Sequence, residues 1–199
     1  GSPMKSRFAV LALALALALS LAAAAAPPVI AVEAVQVPAW LERDGRTVTL
    51  EPGAALKAGD RVRTGADARA RLRLSDGSSV KLGEGARFEI AYAEDTNVLR
   101  ARLRVLAGAF RYATKGPATP GRREIDIEVK NVTAGIRGTD LWCKSTDERD
   151  LVCLIEGRIT VGAPGQPGVT LERALDYYEL PRGGKASVRR VDPEELAQW

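Results

Sequence analysis

Asp140 and Glu156 are the carboxylates whose spacing invites a chemical reading. If Cys143 faces Cys153 in a hairpin, the same register sets Asp140 opposite Glu156. Two carboxyl groups about 5–9.5 Å apart across a sugar cleft are what glycoside hydrolysis requires. Nothing else in the chain hints at such a cleft, and Arg137 or Arg158 can neutralise the pair, so a plain ion network is the preferred reading. Ser78 and Ser79 have neither a histidine nor a nucleophile elbow and read as turn residues. Histidine is absent from the whole sequence, which removes imidazole bases, His-based triads and imidazole zinc sites. Two cysteines are too few for a four-cysteine zinc site or an iron–sulfur cluster. The expectation is no enzyme, no cofactor and no metal site.

Two rows of arginine remain as binding candidates. Arg69, Arg71 and Arg73 alternate with Ala70, Leu72 and Leu74, and Arg100, Arg102 and Arg104 alternate with Ala101, Leu103 and Val105. Each row would share one face of a strand, a surface suited to an anionic glycan, lipopolysaccharide phosphate or an acidic protein. The plainer reading, preferred here, pairs one row with Glu124, Asp126 and Glu128 across neighbouring strands.

The elements that must carry these rows have a period of two from Val35 to Val161. Glu124 to Val129 sets Ile125, Ile127 and Val129 on one face, and Arg87 to Tyr92 sets Phe88, Ile90 and Tyr92 on one buried face. A one-residue slip would turn each apolar row into water. Turn signals at Asp44-Gly45, Gly59-Asp60, Asp76-Gly77, Gly83-Glu84-Gly85 and Pro117 to Gly121 break the runs at short intervals. At Asp76-Gly77 parity favours a three-residue loop, Ser75-Asp76-Gly77, which aligns Leu72 with Val80 and Ala70 with Leu82. The predicted fold is all-β: an elongated, twisted, mostly antiparallel sheet domain over residues 27–199, with one short helix at 193–199 capped by Asp192 and started by Pro193.

Residues 1–26 read as an address. Gly1-Ser2-Pro3 ahead of Met4 are set aside as a remnant. Lys5 and Arg7, the apolar run from Phe8 to Ala26 and the small residues Ala22 to Ala26 match a secretory signal peptide, with an uncleaved anchor as the alternative. Removing 1–26 leaves 27 basic against 25 acidic residues, so the charge surplus that would suggest nucleic acid largely disappears. A periplasmic or otherwise exported protein with no stable membrane span after cleavage is expected. An oxidising compartment and an even spacing then predict a disulfide between Cys143 and Cys153, with Leu141 beside Ile155 and Ser145 to Asp150 as a polar hairpin tip.

Gly59-Asp60-Arg61-Val62-Arg63-Thr64-Gly65, then Leu72-Arg73-Leu74-Ser75-Asp76-Gly77-Ser78 and Leu82-Gly83, resemble the first half of FecR domains. Ala134-Gly135-Ile136-Arg137-Gly138-Thr139-Asp140 and Leu154-Ile155-Glu156-Gly157-Arg158-Ile159-Thr160-Val161 resemble the second half, for a match over about residues 35–162. The resemblance implies a periplasmic β domain that signals between an outer-membrane transducer and a cytoplasmic sigma factor. Only seven residues precede the apolar run, so the cytoplasmic anti-sigma segment is not expected here. Arg137, Gly138, Thr139, Glu156 and Gly157 carry the family motif and read as structural: Gly138 permits a bend, and Arg137 bonds carbonyls or pairs with Glu156. The expected function is a non-catalytic interaction and signalling module engaging an envelope protein. The alternative is a glycan or lipopolysaccharide binding module that uses the basic rows.

Overall fold

In a computed structural model of the chain, the structure describes residues 26–114 and 121–197. The predicted leader, most of the Pro117–Gly121 turn and the end of the predicted helix lie outside the described residues. Among those described, no helix is long and apolar enough to cross a membrane.

The described residues form seventeen strands in two sheets. The first half of the chain supplies β1 (Ile30–Gln36), β2 (Ala39–Arg43), β3 (Arg46–Thr49), β4 (Ala55–Leu56), β5 (Arg61–Thr64), β6 (Arg69–Leu74), β7 (Ser79–Leu82) and β8 (Arg87–Asp95). A fifteen-residue strand, β9 (Leu99–Ala113), follows. The second half supplies β10 (Arg123–Val129), β11 (Val132–Ile136), β12 (Asp140–Ser145), β13 (Arg149–Glu156), β14 (Ile159–Gly162), β15 (Val169–Leu171), β16 (Asp176–Pro181) and β17 (Ser187–Arg190). A short helix, α1 (Pro193–Ala197), ends the described chain, with Asp192 Oδ1 accepting from the Glu194 amide at 2.9 Å.

Sheet A runs β4-β1-β6-β7-β9-β12-β13-β16-β17 and sheet B runs β3-β2-β5-β8-β9-β10-β11-β14-β15. Among the described residues, only the β9–β10 pair is parallel. β9 belongs to both sheets: residues 99–107 pair with β8 and residues 99–105 with β10, while residues 108–112 pair with β12 and residues 110–113 with β7. Alternate residues of both sheets point into one shared core, where Leu72, Val80, Leu103, Ile127, Tyr112 and Val152 are fully buried. Phe88 of sheet B stacks on Phe110 of sheet A with centroids 5.8 Å apart. Strands such as β6, β7 and β10 are apolar on one side because that side faces this core, which is what the period of two encodes.

The Asp76-Gly77 hairpin has the three-residue loop that parity requires: Leu72 pairs with Val80, Ala70 with Leu82, and Gly77 sits at φ +83°. The register slips elsewhere. Between Ile90 and Tyr92 the β8–β9 pairing shifts, so Tyr92 turns outward and is 45% exposed, not buried as its alternation suggests.

A second slip overturns the disulfide. Asp140 does pair with Glu156, as expected, but Leu141 then pairs with Leu154 because Ile155 is an extra residue in β13. Trp142 therefore faces Cys153, and Cys143 faces Val152. Cys143 lies in the core between the sheets and Cys153 lies in a separate cluster on the outer face of sheet A, with Trp142, Leu151, Tyr177 and Val191. Sulfurs on opposite faces of a sheet cannot join, and neither cysteine is in a disulfide. The hairpin tip is also not merely polar: Asp150 and Ser145 are buried, and Arg182 grips the Asp150 carboxylate with bonds of 2.6 and 2.7 Å.

Intact mass should thus be the same with and without reductant. Both thiols should alkylate only after unfolding, since burial, then the nearby Asp150 charge, push the Cys143 thiol well up. A mass 2 Da lower without reductant, about one hydrogen pair, would restore the bridge. A second outcome concerns Gly108, at φ +81°, where a Cβ would lie 2.7 Å from Ala86 Cα. Gly108→Ala should cost at least about 1–3 kcal/mol in urea unfolding. Gly45→Ala has a similar φ with nothing within 4 Å and should cost less; equal losses would mean that the Ala86 contact is unimportant.

Candidate functional site

The family motif sits where β11, β12 and β14 are joined. Gly157 has φ +95°, and a Cβ there would meet the Gly138 carbonyl at 2.9 Å and Thr139 Oγ1 at 3.0 Å. Thr139 Oγ1 donates to the Arg158 carbonyl at 2.9 Å, and Arg137 Nη1 donates to the Ile136 carbonyl at 3.0 Å. Close backbone approach explains why glycine stands at 157 and a small hydroxyl at 139. Glu156 is exposed and opposite Asp140, whose Oδ1 accepts from the Thr114 amide at 2.7 Å and hydroxyl at 3.1 Å. That carboxylate ties down the end of β9.

On sheet B one outward row alternates in sign from strand to strand, although Arg63 and Arg87 also stand in register there. The row Glu42–Arg61–Glu89–Arg104–Glu128 crosses β2, β5, β8, β9 and β10. Glu89 accepts from Arg61 at 2.7 Å and from Arg104 at 2.9 Å, and Arg104 reaches Glu128 at 2.7 Å. Arg100 pairs with Glu124 at 3.0 Å and Arg102 with Glu128 at 3.5 Å. The Arg100, Arg102, Arg104 row is thus the one that Glu124 and Glu128 neutralise, from a parallel neighbour.

Sheet A does the opposite. Its outward row runs Ala34–Arg71–Lys81–Arg111–Trp142–Cys153–Tyr177–Arg189. Three cations stand side by side on β6, β7 and β9, a placement that is unfavourable between paired strands. Glu33, the extra residue where β1 bulges, serves Arg73 and, at 3.7 Å, Arg71. Among the described residues, no ion pair forms at Arg69, Lys81 or Arg111.

These side chains rim a groove of about 650 Å³. Ala34, Gly83 and Ala109 keep it shallow-walled, Gln36, Arg69, Arg71, Lys81 and Arg111 bring the polar groups, and Trp142 and Ile155 bound its far end. Beyond Trp142, the outer face of sheet A is closed by Leu151, Cys153, Tyr177 and Val191. The sequence shows the Arg69–Arg73 row, but Lys81, Arg111 and Trp142 come from three other strands. Only the register brings them together.

The ion network on sheets A and B has a pH signature. Burial alone would raise the carboxyls of Asp60, Glu89 and Glu179, but bonds from Arg43, from Arg61 and Arg104, and from Arg149 overcome it and hold all three below their ordinary values. A carboxylate held low contributes stability above its unfolded pKa and loses it as pH falls through the folded one. Urea midpoints should therefore drop below about pH 4, and Glu89→Gln should flatten that acid limb. An unchanged slope in Glu89→Gln would show that this network does not set acid stability.

Comparison with known proteins follows the same outline. The family described as FecR protein matches residues 60–160. Two crystal structures, at 1.65 and 2.50 Å resolution, of a candidate anti-sigma factor from Parabacteroides distasonis share the fold: each has a TM-score of 0.58 at 13% identity over 70% of this chain. The match takes in 63% of that protein's chain. The comparison with curated proteins finds no match. The matched segment opens at Asp60, the buried carboxylate held by Arg43, and closes at β14, just past Gly157 and its contact with Thr139. With the motif in its structural place and the match covering half of the sequence, the chain belongs to the FecR protein family.

Proposed function

We propose that this chain is a non-catalytic, exported interaction module in envelope signalling, and that it engages a protein partner through the outer face of sheet A. The observation that carries this reading is the Arg71–Lys81–Arg111 row, three neighbouring cations with one shared carboxylate near one end. Like charges in register destabilise a sheet, so a surface that keeps them is read as one that gains a counter-charge on binding. Sheet B, built from the same residue types, carries by contrast a row in which Arg61 and Arg104 each meet a carboxylate on the neighbouring strand.

Export is supported by the basic start and apolar run before Pro27. The regulatory role is supported by the family and by the fold shared with a candidate anti-sigma factor. Asp140, the one carboxylate for which a catalytic partner can be drawn, is occupied in closing β9, and this supports a role in binding over one in hydrolysis.

A photocrosslinking residue placed at Lys81 should form protein adducts in intact producing cells, in the exported fraction. The same residue at Arg102 on sheet B should form few. Adducts from Arg102 but none from Lys81 would place the partner elsewhere and overturn the assignment of the face.

A further inference from the structure

The groove on sheet A discriminates among ligands by what its lining lacks. Its side chains offer guanidinium and ammonium donors and one amide, Gln36, and no carboxylate or hydroxyl. Sugar hydroxyls need acceptors as well as donors, and this lining gives them almost none. Trp142, the one indole lining the groove, is 7% exposed and closed in by Cys153, Leu151 and Tyr177, so it presents no open ring face for a sugar to stack on. The chemistry suits a ligand rich in acceptors and charge.

The extent of the lining separates a chain from a single anion. Residues from six neighbouring strands contribute: β1, β6, β7, β9, β12 and β13. At a spacing of about 4.8 Å per strand that is about 24 Å, which an extended peptide of about seven residues would span. One phosphate would reach the two or three cations around Lys81 and leave the Gln36 and Trp142 ends empty. Ile155, half-buried at one end of the lining, favours a ligand that joins an apolar group to its charges.

We infer that the groove receives an extended acidic segment of a protein partner, lying across the strands with its carboxylates on Arg71, Lys81 and Arg111 and an apolar residue against Ile155. This rests on the proposed partner-binding role of sheet A and adds the chemistry of what binds there. No charge on the groove's rim need move to accept it, since Arg69, Lys81 and Arg111 are exposed.

The test is fluorescence anisotropy with a labelled, amidated seven-residue peptide alternating glutamate and leucine, against the described chain in low salt. It should bind, weaken as salt rises, and lose at least tenfold in affinity in Lys81→Glu and in Arg111→Glu, both surface changes checked for fold by circular dichroism. Arg46→Glu on β3, with the same charge change on the other sheet, should alter affinity less than twofold. The inference fails if a glutamine–leucine peptide binds equally well, or if Arg46→Glu weakens binding as much as Arg111→Glu. It fails equally if polygalacturonate binds more tightly than the peptide, which would favour a glycan, or if inorganic phosphate displaces the peptide at equal charge, which would favour a single anion. Protein crosslinks from Lys81 in cells without any acidic-peptide binding would overturn this chemistry and leave the partner-binding role of the face standing.

Discussion

Everything in this fold hangs on β9 serving two sheets at once. Its first part is flanked by β8 and β10 and its last part by β7 and β12, so four strands take their register from one. A strand can change sheets only by a local break in its geometry, and here the break falls at Gly108, in the left-handed region and pressed against Ala86. Leu103 and Val105 on one side of that break, and Phe110 and Tyr112 on the other, all point into the same core. Both faces of the molecule are therefore referred to one strand. The outward arginines of β9 are divided by the same glycine: Arg100, Arg102 and Arg104 belong to sheet B and Arg111 belongs to sheet A.

That division explains why two similar arginine rows have different fates. Before Gly108, the parallel partner β10 brings Glu124 and Glu128 to the arginines, and β8 adds Glu89. After it, the partners are β7, with Lys81, and β12, with Trp142. A row of like charge costs stability where the neighbours are cations, whereas exposed ion pairs on the other face return only about 0–1 kcal/mol each. Stability alone gives no reason to keep Lys81 and Arg111 side by side. Binding gives one.

What the sequence made legible is whatever depends on alternation alone. The inward and outward sides of β6, of residues 99–105 of β9 and of β10 follow directly from their period of two, and the Ser75–Gly77 loop follows from parity plus one glycine that tolerates positive φ. That Glu124 and Glu128 share a face able to meet an arginine row was legible for the same reason, but which row they meet was not. Bulges were not. An extra residue leaves composition and hydropathy unchanged while it inverts every facing beyond it, as Tyr92 and the Cys143–Cys153 pair both show. The buried Asp150–Arg182 pair was hidden for another reason: its partners lie on β13 and just past β16, strands whose adjacency no local pattern announces.

The bulge at Ile155 connects the failed disulfide to the groove. Without the extra residue, Cys153 would face Cys143 and Ile155 would face Leu141, inside the core. With it, Cys153 turns to the outer face, pairs with Trp142 and helps close the apolar cluster, while Ile155 is left to bound the groove beside that same indole. Trp142 in turn is the neighbour of Arg111 across β9. One inserted residue thus sets an apolar wall directly next to the end of the cationic row. Cations over a flat, wet sheet would be screened and would hold almost any anion weakly. Cations beside an apolar wall and a floor of Gly83 and Ala109 can instead be partly desolvated by what binds, which strengthens each contact and makes the shape of the ligand matter. The motif glycine at 157 lies two residues beyond the bulge, held against Gly138 and Thr139. The conformation of that short stretch of β13 and its turn is accordingly what ties the family motif to the cationic face, even though no motif residue touches the groove.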